Sequence, residues 1–287
     1  MRRLLLISVL LVATMPAIAT SQRPPLPPAV WPASVQPGGV VLVRLARIAS
    51  SATARWFGET YRFTETPDLW WVLLPVPIDA PVGRRPLAVR KVHHDWEDVE
   101  EVLQVTIAAL KRPTQRLRVS KATNSLYSAA EAKAERAAIG AAIRSDTGPA
   151  GWPGPFALPF AGRTTTAFGT RRIRNGREVD WHRGIDLAAP EGTPVHTSAA
   201  GTVALIAEHY KLHGKTVVVV HGAGLATVYL HLSRIEVAQG DTVTAGQVVG
   251  RVGMTGAATG PHLHWAAYLN GDAINPLALL ALPQHLQ

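Results

Sequence analysis

The sequence predicts a mainly β chain of two domains joined by a short helical linker, and three observations carry that prediction. Between Trp31 and Ile107, short apolar runs such as VVLVRLA, LWWVLLPVPI and LAVRKV are cut by the turn pairs Gly38-Gly39, Pro67-Asp68 and Val82-Gly83. Residues 119–145 are rich in alanine with Lys and Glu, a helical composition. Beyond Phe156 the chain returns to short strands, among them GIDLA, GTVALIAEH, KTVVVVHG, LATVYLHLS and HLHWAAYL, punctuated by glycines at 201, 214, 222, 224, 240, 246 and 250.

At 287 residues the chain is long enough for two modest cores. It has no cysteine, so no disulfide staples it and no thiolate binds metal. Residues 1–19 read as a secretory signal peptide: Arg2 and Arg3 precede the apolar run Leu4 to Ala13, and Ala17-Ile18-Ala19 is a small-x-small cleavage site. The run is short for a membrane span, which needs about 20 residues, so no stable span is expected after cleavage. The expected location is outside the cytoplasm, in the periplasm or cell envelope or secreted. Losing Arg2 and Arg3 takes the formal charge from +9 to +7 (9 − 2). A basic surface suits an anionic envelope polymer. A monomer is expected, with no nucleic-acid partner.

Residues 20–30, TSQRPPLPPAV, form a proline-rich lead-in. Residues 31–118 read as a β-sandwich without any cluster of acid, base or nucleophile, His93 and His94 being surface residues. It is a positioning or interaction module. Residues 119–155 are the linker. Ser128 three residues before Glu131 signs a helix running through Ala142, and GPAGWPGPF is the loop after it. A plain spacer is expected, with occlusion of the neighbouring domain as the alternative. Residues 156–287 form the second β domain.

Three histidine segments in that domain carry the chemistry: HRGID, YLHLS and GPHLHW. On an extended backbone His182 and Asp186 share one strand face, and so do His262 and His264, with Leu263 turned to the core. Two imidazoles and one carboxylate suffice for a catalytic zinc site, which takes three protein ligands. Spacing alone allows either His262 or His264 as the third ligand. His209 and His213 lack the HExxH pattern, and His196 and His221 are not read as ligands either. Arg171, Arg172 and Asn175 lie in a turn before His182, and Tyr210 to Lys215 between two strands. Both segments are candidate groove-lining loops, giving Arg172, Asn175, Tyr210 and Thr259 as candidate substrate contacts. Thr255, Thr259 and Gly260, just before HxH, can bind substrate backbone or orient the histidines.

The stretch from about Phe156 to Leu280 resembles the lysostaphin-type (LytM-like) zinc metallopeptidases, through FGTRR, HRGIDLAAPEGTPV, HGAGL, YLHLS, GDTVTAGQVVG, GMTGAATGPHLHW and NP. The resemblance implies an antiparallel β-roll or sandwich of the duplicated hybrid motif type that hydrolyses peptide bonds in bacterial peptidoglycan. By position it implies one zinc per chain on His182, Asp186 and His264, with His231 and His262 as catalytic histidines that do not bind metal. Through WFGETYRF and LLPVPIDAPVGRRPL, residues 31–118 resemble the immunoglobulin-like domain ahead of some of these peptidases. Implied partners are peptidoglycan peptides and an envelope activator or docking partner. The other reading is a binding-only relative that activates a different hydrolase, which the complete histidine set disfavours. EVAQGDTVTAGQVVGRVG also resembles biotinyl and lipoyl carrier hairpins, but no lysine motif stands between Thr202 and Gly250 to carry a cofactor.

Overall fold

The computed structural model describes residues 29–46, 49–92, 97–145, 148–152 and 154–283. The signal-peptide reading, most of the proline-rich lead-in and His93 and His94 lie outside the described residues.

The front half is built of two sheets. A four-stranded sheet runs Ala29–Trp31, Val40–Ala46, Leu69–Pro75, Thr64–Glu65, and a five-stranded sheet runs Ser34–Val35, Val99–Ile107, Gly83–Val92, Ser51–Trp56, Glu59–Arg62. Their facing side chains, including Val41, Val43, Val72 and Leu74 on one sheet and Trp56, Leu87, Val89 and Val105 on the other, make one core. The four-stranded sheet is covered on its outer face as well. Val40, Leu42, Trp71 and Leu73 pack there against Trp152 and Phe156 of the loop and against Leu225, Leu269, Ile274 and Leu279 of the C-terminal domain. Burial on both faces explains why VVLVRLA and LWWVLLP are nearly continuous apolar runs, a pattern that otherwise marks central parallel strands.

In the C-terminal domain the central sheet runs Arg163–Thr166, Ile185–Ala188, His262–Leu269, Leu225–Leu232, Gly214–Gly222, Gly201–Tyr210, Thr242–Val243, with Asp272–Ile274 also paired to His262–Leu269. One face holds the main core, where Ile185, Leu187, Val203, Val217, Tyr229, Leu263 and Trp265 meet. The other face carries Val218, Val228, Leu230 and Ala266, and the linker helix Ala130–Ile143 lies on it through Ile139, Ala142 and Ile143. The linker is therefore packed on the sheet and is not a free spacer. Thr114–Leu117, which the sequence reading grouped with the front sandwich, pairs in parallel with Arg171–Arg174, itself in a hairpin with Arg177–Trp181.

The capping signature at Ser128 is not used. The helix starts at Ala130 with Ala129 as N-cap and no side-chain bond, because Ser128 Oγ donates to the Ser125 carbonyl at the end of the preceding short helix Lys121–Leu126. That first helix is the capped one, Ser120 Oγ accepting from the Thr123 amide at 3.0 Å.

Trp71, 1% exposed, stands edge-on to Trp152 with ring centroids 6.2 Å apart. Trp71→Ala should destabilise the chain by about 3–5 kcal/mol through the cavity it leaves. Calorimetry should also show the two halves unfolding less cooperatively, whereas a loss below about 1 kcal/mol would remove this contact as what joins them.

Candidate metal centre

The strands Ile185–Ala188 and His262–Leu269 are antiparallel neighbours in a register that sets Asp186 opposite His264 and Ala188 opposite His262. Because alternate residues share a face, this pairing points Asp186, His262 and His264 to one side while Ile185, Leu187, Leu263 and Trp265 fill the core. His182 comes in from the bend before Ile185. Its Nδ1–H donates to the Ala167 carbonyl at 3.1 Å, which leaves Nε2 as a lone-pair donor.

His182 Nε2, Asp186 Oδ1 and His264 Nδ1 converge: His182 to Asp186 is 3.0 Å, His264 to Asp186 2.9 Å, and the two imidazole nitrogens are 2.9 Å apart. Donor atoms around a tetrahedral ion at about 2.1 Å would be spaced ~3.4 Å, so small outward movements complete the fit. His182 is 1% exposed and Asp186 7% exposed, so electron-rich atoms face one another out of water unless a cation or proton lies between them. Burial alone would raise the Asp186 carboxyl, but the His182 and His264 imidazoles against it hold it well below the usual carboxylate range. Burial pushes His264 down to about 4, partly offset by Asp186, so it is neutral and available as a ligand at ordinary pH. Gly184 makes room for that ring. A Cβ there would lie 2.6 Å from the Trp265 carbonyl oxygen and 2.7 Å from His264 Nε2.

His231 reaches the site by departing from strand parity. Leu230 faces the cleft and Leu232 the core, yet His231 joins the cleft side. The register slips between the Val217–Tyr229 and Lys215–Leu232 pairs, and His231 has φ +64°, in the left-handed region that a histidine rarely occupies. Its amide donates to the His213 carbonyl at 3.1 Å and its Nδ1–H to the Thr255 carbonyl at 2.9 Å. The ring lies 5.0 Å from that of His262 and 6.3 Å from that of His264. Burial, then His264 and His262, push His231 down to about 3, so it is a neutral imidazole with Nε2 free to accept. His262 is held the same way. Its Nδ1–H donates to the Gly260 carbonyl at 2.8 Å, and its Nε2 lies 4.0 Å from Asp186 Oδ1. Thr255 and Gly260 thus anchor the two rings, one of the two roles open to the segment before HxH.

These side chains open into a cleft of about 530 Å³. Its floor is Val228, Leu230 and Ala266. The linker helix forms one wall with Arg136, Ile139, Ile143 and Arg144, and Gln115 and Leu117 of the Thr114–Leu117 strand also line it, while among the described residues none from the two front sheets does. Of the expected substrate contacts, Arg172 and Thr259 line the cleft, and Arg172 Nη2 reaches Asp186 Oδ2 at 3.3 Å. Arg171 and Arg172 lie on a strand, not in a turn, and Arg171 is paired with Glu178 away from the cleft. Asn175 is not at the cleft. It turns the Arg171–Trp181 hairpin, and its side-chain amide is spent on both backbone groups of Val119. Tyr210 is also outside, ending its strand beside His213 with ring centroids 6.4 Å apart. His196 and His221 serve the fold, donating to the carbonyls of Gly246 and Ala200.

Of the candidate groove-lining segment Tyr210 to Lys215, Leu212 and His213 do line the cleft, but sequence reading missed Glu135, although one signal was present. Glu135 falls on the buried stripe Ala132, Glu135, Ile139, Ala142, where a solvated helix would carry its charge outside. It is 4% exposed, and its carboxylate accepts from the amides of Lys211, Leu212 and His213 and from His213 Nδ1 at 2.8 Å. Burial works against its ionised form, but these bonds prevail and hold it below the usual range.

Known proteins resemble this chain in sequence and fold. Residues 180–276 match the model of peptidase family M23. A DD-carboxypeptidase/endopeptidase, Mpg, of Neisseria meningitidis is 47% identical over 102 residues, 36% of this chain and 23% of that protein. The peptidoglycan DD-endopeptidase ShyA of Vibrio cholerae is 41% identical over 116 residues, 40% of this chain and 27% of that one. The chain thus spans about a quarter of the length of these curated relatives. A crystal structure of a peptidase M23 protein from Pseudomonas aeruginosa is similar over 85% of this chain and 94% of that one, with a TM-score of 0.63 and 29% identity, so the likeness extends into the front half. By motif, by sequence and by fold, the C-terminal domain of this chain belongs to peptidase family M23.

Proposed function

We propose that the chain is a zinc-dependent endopeptidase acting on peptide bonds of bacterial peptidoglycan in the cell envelope. The observation that carries this reading is the convergence of three lone-pair donors within 3.0 Å at the end of a cleft that also holds two carbonyl-anchored imidazoles. His182, Asp186 and His264 would hold one zinc. When bound, zinc supplies Lewis acidity, polarising an amide carbonyl and lowering the pKa of water toward about 7. His231 and His262 supply what an amide still needs. With Nδ1–H fixed on a carbonyl, each offers Nε2 on the cleft side, one taking the proton of the attacking water and the other, once protonated, donating to the oxyanion or the leaving nitrogen. The apolar floor and the arginines Arg136, Arg144 and Arg172 suit a peptide bearing carboxylates.

The front sandwich is read as a docking module for the wall or for an envelope partner, since the described residues of its two sheets stay off the cleft. Among the described residues no helix is long and apolar enough to cross a membrane. Export by the N-terminal segment and action as a monomer complete the proposal.

Digestion of purified peptidoglycan, with mass analysis of the fragments and a chelator control, tests the activity. Release of new peptide ends that stops with chelator is expected, and intact wall would overturn the reading. Elemental analysis should give one zinc per chain in the wild type and a large loss in Asp186→Ala. Gly184→Ala should fold yet bind zinc at least about tenfold more weakly, because the new methyl displaces His264. His231→Ala should keep its zinc and lose roughly 100-fold or more in turnover. If it lost zinc instead, His231 would be a ligand.

Acid should unfold the metal-free protein early. His264 and His231 titrate at about 4 and about 3 in the fold, below the ordinary histidine value near 6.5, so below that value the unfolded chain gains protons that the native site refuses. Stability is present above pH ~6.5 and falls as pH drops toward about 4 and then about 3. A melting temperature that stayed flat across this window, measured without metal, would contradict burial of neutral imidazoles.

A further inference from the structure

We propose that Glu135, on the linker helix, is a positioning residue for His231, acting through the tip of the Gly201–Gly222 hairpin. The inference rests on the reading of His231 as a catalytic group.

The linker helix does not need a carboxylate in order to dock. Ile139, Ala142 and Ile143 already seat it on the sheet, and a buried carboxylate carries a desolvation penalty that an apolar residue would avoid. All of the hydrogen bonds to Glu135 converge on three consecutive residues. Oε1 accepts from the Lys211 amide at 2.6 Å, Oε2 from the amides of Leu212 and His213 at 3.2 Å each, and Oε2 also from His213 Nδ1 at 2.8 Å. Successive amides closing on one anion fix the backbone of a turn.

The same turn determines where His231 sits. The His213 carbonyl accepts the His231 amide at 3.1 Å, and the Leu212 carbonyl accepts the Ala257 amide at 2.9 Å. The Lys215 amide donates to Thr255 Oγ1 at 2.9 Å, and Thr255 Oγ1 donates to the Leu232 carbonyl at 2.7 Å. Both carbonyls that hold His231, those of His213 and Thr255, therefore hang on the hairpin tip that Glu135 grips. His231 needs such support because its φ of +64° is strained for a residue with a Cβ, and strained backbone persists only where its surroundings over-determine it. Linker and active site are thus one mechanical unit: a shift of the helix moves the turn, and the turn moves the imidazole.

The test uses the full-length chain and its Glu135→Gln and Glu135→Ala variants. Gln keeps the size and one acceptor oxygen, so the effects should rank Ala above Gln above wild type. Hydrogen exchange read by mass spectrometry should show the His231 amide exchanging roughly tenfold faster in Glu135→Ala, while the neighbouring strand His262–Leu269 keeps its protection. Zinc content should be unchanged. With cross-linked muropeptides as substrate, kcat should fall about tenfold or more with KM nearly constant, since misplacing a reacting group by about 1 Å costs up to 100-fold. If Glu135→Ala fails to fold, the Gln variant carries the same comparison. A variant with a lowered melting temperature but wild-type protection at His231 and unchanged kcat would overturn the proposal and leave Glu135 a packing residue. Because exchange at His231 is read without substrate, a wild type inactive on muropeptides would sink the peptidase reading and leave the mechanical coupling to stand or fall by itself.

Discussion

The antiparallel register that sets Asp186 opposite His264 is the constraint on which the rest of the C-terminal domain depends. Given that pairing, alternation turns both side chains to the same face and sends Ile185, Leu187, Leu263 and Trp265 into the core, so the hydrophobic effect holds the ligand geometry in place. A slip of one residue would exchange the faces, burying carboxylate and imidazole and exposing four large apolar side chains, so the register is strongly specified. His182 then needs only a short bend to close the triangle, and Gly184 is where that bend passes under the His264 ring.

The face that bears the site is also the one that must be covered, because Val218, Val228, Leu230 and Ala266 are apolar. The linker helix covers part of it and leaves the rest as the cleft. Cleft shape is therefore set by a segment outside the matched family region, which begins at residue 180. The front sandwich is tied to the opposite side through Leu42, Trp71 and Leu73, so the two halves share a core and are not strung on a tether. The linker helix thus packs on one face of the central sheet and the front sandwich on the other, each through buried side chains.

Much of this was legible in the sequence because it depends on local periodicity. Alternation in HLHWAAYL and IDLA gives strands with ligand-type residues on one face, turn residues bound the front strands, and alanine with Lys and Glu gives the linker its helix. Of the two roles open to the segment before HxH, anchoring His262 on the Gly260 carbonyl is local, two residues away, whereas the Thr255 carbonyl reaches His231 across 24 residues and only the fold brings them together. The capping site failed because Ser128 had a competing carbonyl at Ser125, and Asn175 and Tyr210 failed because a loop next to a motif in sequence need not face its cleft in space.

The sequence by itself determined the mainly β fold class and the strand face shared by Asp186, His262 and His264, since these follow from residue type and a period of two, whereas His182 stands on a bend before the strand and not on the extended face expected for it. Tertiary structure alone decided three things. Strand parity would send His231 into the core, and only a register slip with a left-handed residue, stabilised by carbonyls at His213 and Thr255, brings it to the cleft. The linker lies on the catalytic face because the sheet leaves an apolar strip there that its own domain cannot cover. Glu135 is buried because the amides of residues 211–213, 76 to 78 positions further along the chain, are folded back to receive it, and no local pattern encodes a contact at that separation.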